Sequence, residues 1–583
     1  MVDGQKVQRY PLPEAKYIQC LPAPPPAPWK VMKPKWEAQD EASWQDFVRS
    51  MGKAVESRKC DTVDSCMISR SNPYRSDEDI QALHYSDCAD LPMYLRAYFA
   101  YKNRLPFSMV TSVEPNEMTE EQLLETEKKR AIISLKGPEE LEKFEARLVD
   151  VRYSRNGNYP KGRSNVPHSR GIARDFFKYA ELLHDSISTA SYRMYTNVSG
   201  GMTTAETDFY APVISSDVIP VGTVLYTAAG HVALVYDIRP NGEIMTLNAA
   251  PGNALTVRPF NREFERSHPN HGAGFKKWRP FELVNYKIEK DGSLNGGQFV
   301  FISDYELPDF SLEQYFGNKP DEVTGDWRNG LFMIGDRKVS YTDYVKIKMA
   351  NGVYKLNPLA EFRRDVSGLC LALQDRTRAV EQAMTPSPVG ELFRQPHPDK
   401  LPDNIYGASG DWETYSTPGG DLRIRSKALD VITAMREYIS KWINRDPYLD
   451  YQGKNLKFDL LKIFNQVDAS CKITYKNSEG RPVSINSLSL ALSRLPRLSF
   501  DPYNCPELRW GARHGAEVRS CTDDQTKIEW YTYSQFLRNA AVRDPNEVMG
   551  WDLDGVKRLS SSPGTDIGID SEKFNIRKVL EAL

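Results

Sequence analysis

Residues 86–107 read SDCADLPMYLRAYFAYKNRLPF. Leu91, Tyr94, Leu95, Tyr98 and Tyr101 recur at spacings of three and four, which predicts a helix with one largely apolar face. Asp87 or Asp90 supplies an N-cap. Pro92 suits only the first helical turn, where a missing N–H costs little. Cys88 therefore stands at, or just before, the helix N-terminus. There the macrodipole and the free N–H groups favour thiolate over thiol. Such a cysteine is a candidate nucleophile, and a half-buried structural cysteine is the plainer alternative.

A nucleophilic thiolate needs a base, and the base needs an orienting partner. Of eight histidines, His231 opens a strand-like run, HVALVYDI, in residues 231–238. Residues 223–227 and 243–248 read as two further strands, and Asn241-Gly242 is a hairpin turn between the second and third. A two-residue turn sets Asn248 beside Val235, and a four-residue loop sets it beside Ala233. Either register puts Asn248 on the sheet face of His231, offset along the strand, and a bulge brings the two closer. Asn248 can then fix the imidazole tautomer. A core histidine with a satisfied hydrogen bond is the competing reading of His231.

Around this centre the chain reads as α+β: a cysteine-bearing helix on an antiparallel sheet, followed by a mainly helical region. With 583 residues, two to four domains are expected. Residues 1–40 are proline-rich and extended, lying over the body through Tyr10, Trp29 and Trp36 or serving as a linker. Residues 41–305 form the domain with the cysteine, carrying an insertion at about 110–210 that reads as helical. In it, 114–148 is a charged helix broken at Gly137-Pro138, 152–170 a polar loop, and 172–195 another helix. Residues 306–583 are mainly helical. Within them GDWETYSTPGGDLR (410–423) is either a ligand-binding loop or a turn packed by its aromatics.

The formal net charge of −2 gives no field for nucleic acid or anionic membrane, and no apolar run is long enough to span a bilayer. MVDGQKVQRYPLP does not read as a signal peptide. None of the eight cysteines forms a CxxC pair, which argues against a zinc ribbon. Cys60 with Cys66, and Cys505 with Cys521, can each close a short loop. Both bridges together imply an oxidising compartment, whereas eight reduced thiols imply the cytosol. His268-Pro269-Asn270-His271 lacks a third metal ligand, so no metal or other cofactor is expected.

These pieces together resemble the NlpC-type cell-wall peptidases, within the papain-like cysteine hydrolases. Asn72-Pro73-Tyr74-Arg75 stands where that family has its Pro-Tyr motif. Asp87-Cys88-Ala89-Asp90-Leu91 stands for Asp-Cys-Ser-Gly-Leu, and Leu105-Pro106 closes the helix. Gly222 to Tyr226, His231 to Tyr236, and Asn248-Ala249 stand in for its three strands. The resemblance implies a papain-like core with Cys88 as nucleophile, His231 as base and Asn248 as orienting residue. It places Tyr74 and Asp87 on the oxyanion and substrate side, with the Cys88 backbone N–H. It implies hydrolysis of an amide, usually in a peptidoglycan stem peptide, by a periplasmic or secreted enzyme whose leader has been removed. A cytoplasmic protein is the alternative for location. A transglutaminase-like acyltransferase or amidase, with Asp237 or Asn248 as third member, is the alternative for activity. A non-catalytic cell-envelope binding protein is the second.

Overall fold

In a computed structural model the described residues are 27–135, 138, 141–142, 144–145, 150–167, 175–194, 207–249, 253–261, 264, 266–351, 354–384, 391–406, 410–513, 515–540 and 549–583. Tyr10 and Cys20 lie outside them, as does much of the stretches 136–149 and 168–174 read above as helix and loop.

The N-terminal half is built on helix α1 (Ala38–Glu56), helix α2 (Asp90–Lys102) and a six-stranded sheet. The predicted helix at 90–102 is present, but it is buried on every side rather than along one face: Met93, Ala97, Phe99 and Ala100 are covered as fully as Leu91 and Tyr98. A helix enclosed all round belongs to the centre of a core. Its buried cation, Arg96, is accommodated by a two-pronged bond to Glu41 (2.9 and 2.6 Å) and by the face of Trp36, 3.5 Å from the guanidinium. Residues 29–36 lie on the body, with Trp29 and Trp36 donating to the carbonyls of Leu105 and Pro106.

A two-stranded ribbon follows, β1 (Phe107–Pro115) against β2 (Asn158–Val166). This corrects the insertion at about 110–210, which is not wholly helical. Besides α3 (Glu120–Ser134) and α4 (Phe176–Ser186), it holds β2 and most of β1. Residues 152–170 read as a loop because they are polar. A ribbon with much of its surface in solvent needs little apolar alternation, and β2 carries a broken burial pattern.

The sheet runs β3 (Phe209–Tyr210), β8 (Gly274–Trp278), β4 (Val224–Thr227), β5 (His231–Ile238), β6 (Ile244–Ala249) and β7 (Leu255–Pro259), in that order and antiparallel throughout. Period-two alternation splits β5 between two cores. Val232, Leu234 and Tyr236 pack with α1 and α2, while Ala233 and Val235 join Phe260, Phe264 and Phe275 on the other face. The first packing is close. A Cβ on Gly52 of α1 would stand 2.1 Å from the Tyr236 ring, so only glycine permits this approach. Helix α5 (Tyr341–Met349) covers the second face through Tyr344, Val345 and Met349.

The C-terminal half is mainly helical, around α6 (Pro358–Gln382), α7 (Pro418–Ile443) and α8 (Leu456–Ser470). Disulfides join Cys60 to Cys66, Cys505 to Cys521, and Cys370 to Cys471. The last pairing, across 101 residues, has no local signal in the sequence. Among the described residues no helix is long and apolar enough to cross a membrane.

Candidate active site

Cys88 is held by its neighbours. The Asp87 carboxylate accepts from the backbone N–H groups of Ala89 (2.7 Å) and Asp90 (3.0 Å), and its carbonyl accepts from Leu91 N–H (3.1 Å). Asp87 is thus the side chain that caps α2, and its role is to position the cysteine. A capping carboxylate only accepts, so Asp87 cannot donate to an oxyanion. On the upstream side Asn253 clamps the chain, accepting from Ser86 N–H (3.2 Å) and donating to His84 O (3.1 Å). Downstream, the Tyr192 hydroxyl donates to Ala89 O (2.6 Å). Among the described residues no hydrogen bond uses the backbone N–H of Cys88.

The thiol reaches the sheet, where the backbone N–H of Val232 bonds to it. The β5–β6 ladder is paired from Ile238–Ile244 to Leu234–Leu247. Beyond that point the strands part, and the cysteine from the helix end takes the donor that β6 leaves. Some of the residue's surface reaches solvent. Burial of the sulfur, then the negative charge of Asp87, nevertheless push the thiol up to about 12. The Val232 N–H and the charge of Arg423 oppose them, while Asp90 adds to the rise. The expectation of a resting thiolate is therefore corrected: desolvation and two carboxylates outweigh the helix dipole. Cys88 rests as a thiol, so it must lose its proton within the reaction.

His231 begins β5, with its backbone N–H on Thr227 Oγ1 (3.1 Å). Its ring nitrogen Nε2 lies 2.9 Å from Asn248 Oδ1. The amide orientation of Asn248 is set by two bonds from its Nδ2, to Thr246 O (3.2 Å) and Thr246 Oγ1 (3.0 Å). The oxygen therefore faces the histidine. An amide oxygen only accepts, so Nε2 is the donor in this bond, and in a neutral ring the lone pair is then on Nδ1. The reach is provided by the register. Leu234 pairs with Leu247, which puts Asn248 one step on, toward Ala233, and a bulge at Tyr236 absorbs the extra residue.

The other sequence candidates fall elsewhere. The Tyr74 ring packs on Phe99 (5.2 Å between centroids) and Phe47 (5.7 Å), and its hydroxyl bonds to Asn103 and Ser43. Phe99 and Asn103 stand at the far end of α2 and its C-cap, roughly 15–20 Å from the cysteine at the helical rise per residue. Tyr74 is thus not brought to the oxyanion side. The Pro-Tyr motif occurs, but its ring is taken up by the core. Asp237 sits at the opposite end of β5 on Lys53 (2.7 Å), roughly 20 Å of strand from His231. It cannot orient that ring.

Sequence reasoning missed Arg423, whose charge acts on the Cys88 thiol from helix α7. Its only signal was membership of the 410–423 stretch. The aromatics there are packing groups: Trp412 is buried, with Tyr415 against the same cluster. Arg378 and Asp61, 4.0 Å apart, also bring the two halves together. His268 and His271 have ring centroids 5.7 Å apart, and among the described residues no third ligand stands beside them. Among the described residues the one group of three potential ligand atoms is Cys505, Cys521 and Asp523, and those cysteines are bonded to each other.

No family model, no curated protein and no solved structure matches this chain.

Proposed function

We propose that the protein is a cysteine amide hydrolase that works through Cys88, His231 and Asn248. The observations that support this reading are the His231–Asn248 hydrogen bond and the contact of Cys88 with the neighbouring residue of the same strand. Asn248 Oδ1 lies 2.9 Å from His231 Nε2, which favours the tautomer with its proton there, while the backbone N–H of the next residue, Val232, bonds to the Cys88 sulfur. His231 Nδ1 takes the thiol proton as sulfur attacks the amide carbonyl carbon. The carbonyl oxygen gains the electron pair, and the unengaged backbone N–H of Cys88 stabilises it. Collapse breaks the C–N bond, and His231 returns the proton to the leaving amine. Water, deprotonated by the same ring, then releases the acid and restores the thiol.

The resemblance to NlpC-type peptidases directs the substrate toward amides of peptidoglycan stem peptides or related cell-envelope material, in a papain-like core. Three disulfides support an oxidising location, periplasmic or secreted. An acyltransferase passes through the same thioester, with an amine in place of water. Incubating purified muropeptides with the protein and weighing the products tests the reading. A mass gain of one water at a single amide, absent with Cys88→Ala, supports it. Intact muropeptides, or equal cleavage by Cys88→Ala, count against it.

A further inference from the structure

The helical half encloses charge that the proposed chemistry does not use. Arg376, Arg425, Arg509 and Arg538 are 4%, 2%, 1% and 1% exposed. Of the four, only Arg376 is bonded to a carboxylate, Asp421, from Nε (2.6 Å) and Nη2 (3.0 Å). Arg425 donates to the carbonyl of Ala540, and Arg538 to Ser534 Oγ and Gln535 Oε1. Arg509 donates from Nη2 to Tyr415 O (3.0 Å) and Thr417 Oγ1 (3.4 Å). Among the described residues its Nε and Nη1 have no partner, and neither has Arg376 Nη1. Asp501, which also acts on Arg509 electrostatically, is hydrogen-bonded by His397 (2.8 Å).

The Arg376 and Arg509 guanidinium groups are neighbours, because the Nη2 of each reaches Thr417 Oγ1, at 3.3 and 3.4 Å. Asp421 answers the two guanidinium groups directly, while Asp501, which also acts on Arg509, is shared with His397, so the cations outnumber the carboxylates there whenever His397 is protonated. The Trp510 ring, 4.9 Å from the Arg376 guanidinium, offsets part of the excess. A buried cation with unmade hydrogen bonds is costly, so such groups are normally met by a counter-charge. Burial, then the charge of Arg376, press Arg509 down to about 9. The surrounding Thr417, Asp421 and Ser499 are themselves buried. A ligand here is small and sheds its water.

We propose that Arg376 and Arg509 form a buried site for a small monovalent anion, chloride being the simplest, seated against Nη1 of each. Bound there, the anion ties the 499–510 segment to the first turn of α7, two residues before Arg423 on Asp421. The inference is independent of the hydrolase reading.

The test is thermal unfolding of the full chain at constant ionic strength, with sodium chloride replacing sodium gluconate. The midpoint is expected to rise with the logarithm of chloride concentration. Arg509→Met is expected to abolish that rise. A rise that persists in Arg509→Met is a bulk salt effect and overturns the site. A dependence on phosphate with none on chloride overturns the monovalent assignment. Should Arg509→Met fail to fold, wild-type crystals in sodium bromide decide. An anomalous peak within hydrogen-bond reach of both Nη1 atoms supports the site, and no peak there contradicts it.

Discussion

Asn248 Oδ1 accepts the Nε2 proton of His231 at 2.9 Å, across two strands whose register is shifted by one bulged residue. The bond fixes the proton on Nε2, so in the neutral ring Nδ1 is the basic nitrogen. Asn248→Ala removes the acceptor but leaves the base. It is expected to lower kcat about 10–100-fold with KM little changed, less than the about 10²–10⁴-fold loss expected for His231→Ala. Asn248→Gln displaces the acceptor and is expected to behave like Asn248→Ala. Steady-state kinetics on the muropeptide that wild type cleaves checks both.

Tyr74 was placed on the oxyanion side by resemblance alone, and the fold puts its hydroxyl on Asn103 and Ser43. Tyr74→Phe is therefore expected to leave kcat within about twofold of wild type. The change removes a half-buried hydrogen bond worth at most about 1 kcal/mol, so a small fall in unfolding midpoint is expected. A large fall in kcat at unchanged midpoint would return Tyr74 to the site.

Arg423 is exposed and lowers the Cys88 thiol pKa by its charge. Arg423→Ala is expected to raise that pKa further and slow alkylation of Cys88 throughout the range below about 12, and Arg423→Lys to restore most of the rate. Added salt should narrow the difference, since the effect is electrostatic. Peptide mapping by mass spectrometry locates the label on Cys88.

His397 gives the fold a pH dependence away from the site. Burial works against its charge, but Asp501 (2.8 Å) and the Pro398 carbonyl (2.6 Å) both accept from the ring and raise its pKa above 6.5. A raised folded pKa means that the folded chain holds the proton more tightly than the unfolded one. The stabilisation is therefore complete below the ordinary value of 6.5 and is lost as pH rises through the folded value. Wild type is expected to lose unfolding midpoint above 6.5 relative to His397→Gln. Parallel midpoint curves for the two would contradict this.

The helix at 90–102, its Asp87 cap and the hairpin carrying His231 and Asn248 were legible because each depends on local pattern: helical period, a short capping side chain, strand alternation and an Asn-Gly turn. Of the two registers open for Asn248, the one toward Ala233 is adopted, through the bulge. What was not legible depends on distance in sequence. The ribbon of β1 and β2 pairs segments separated by forty residues of other structure, and polar β2 carries no alternation to announce it. Cys370 with Cys471, and Arg423 acting on Cys88, join residues with no shared local signal. Tyr74 misled because a motif fixes residue types and not where a ring packs. The thiol misled because helix position is local, whereas burial, which outweighs it, belongs to the whole fold.

The central claim is that His231 draws the proton from a thiol that otherwise holds it to about pH 12. The most direct measurement is the pH-rate profile of Cys88 alkylation by iodoacetamide, in wild type and in His231→Ala. The account predicts that wild type reacts at neutral pH with an inflection in the histidine range. His231→Ala should lose that inflection and react appreciably only as pH approaches the thiol's own value. Superimposable profiles for the two proteins would contradict it.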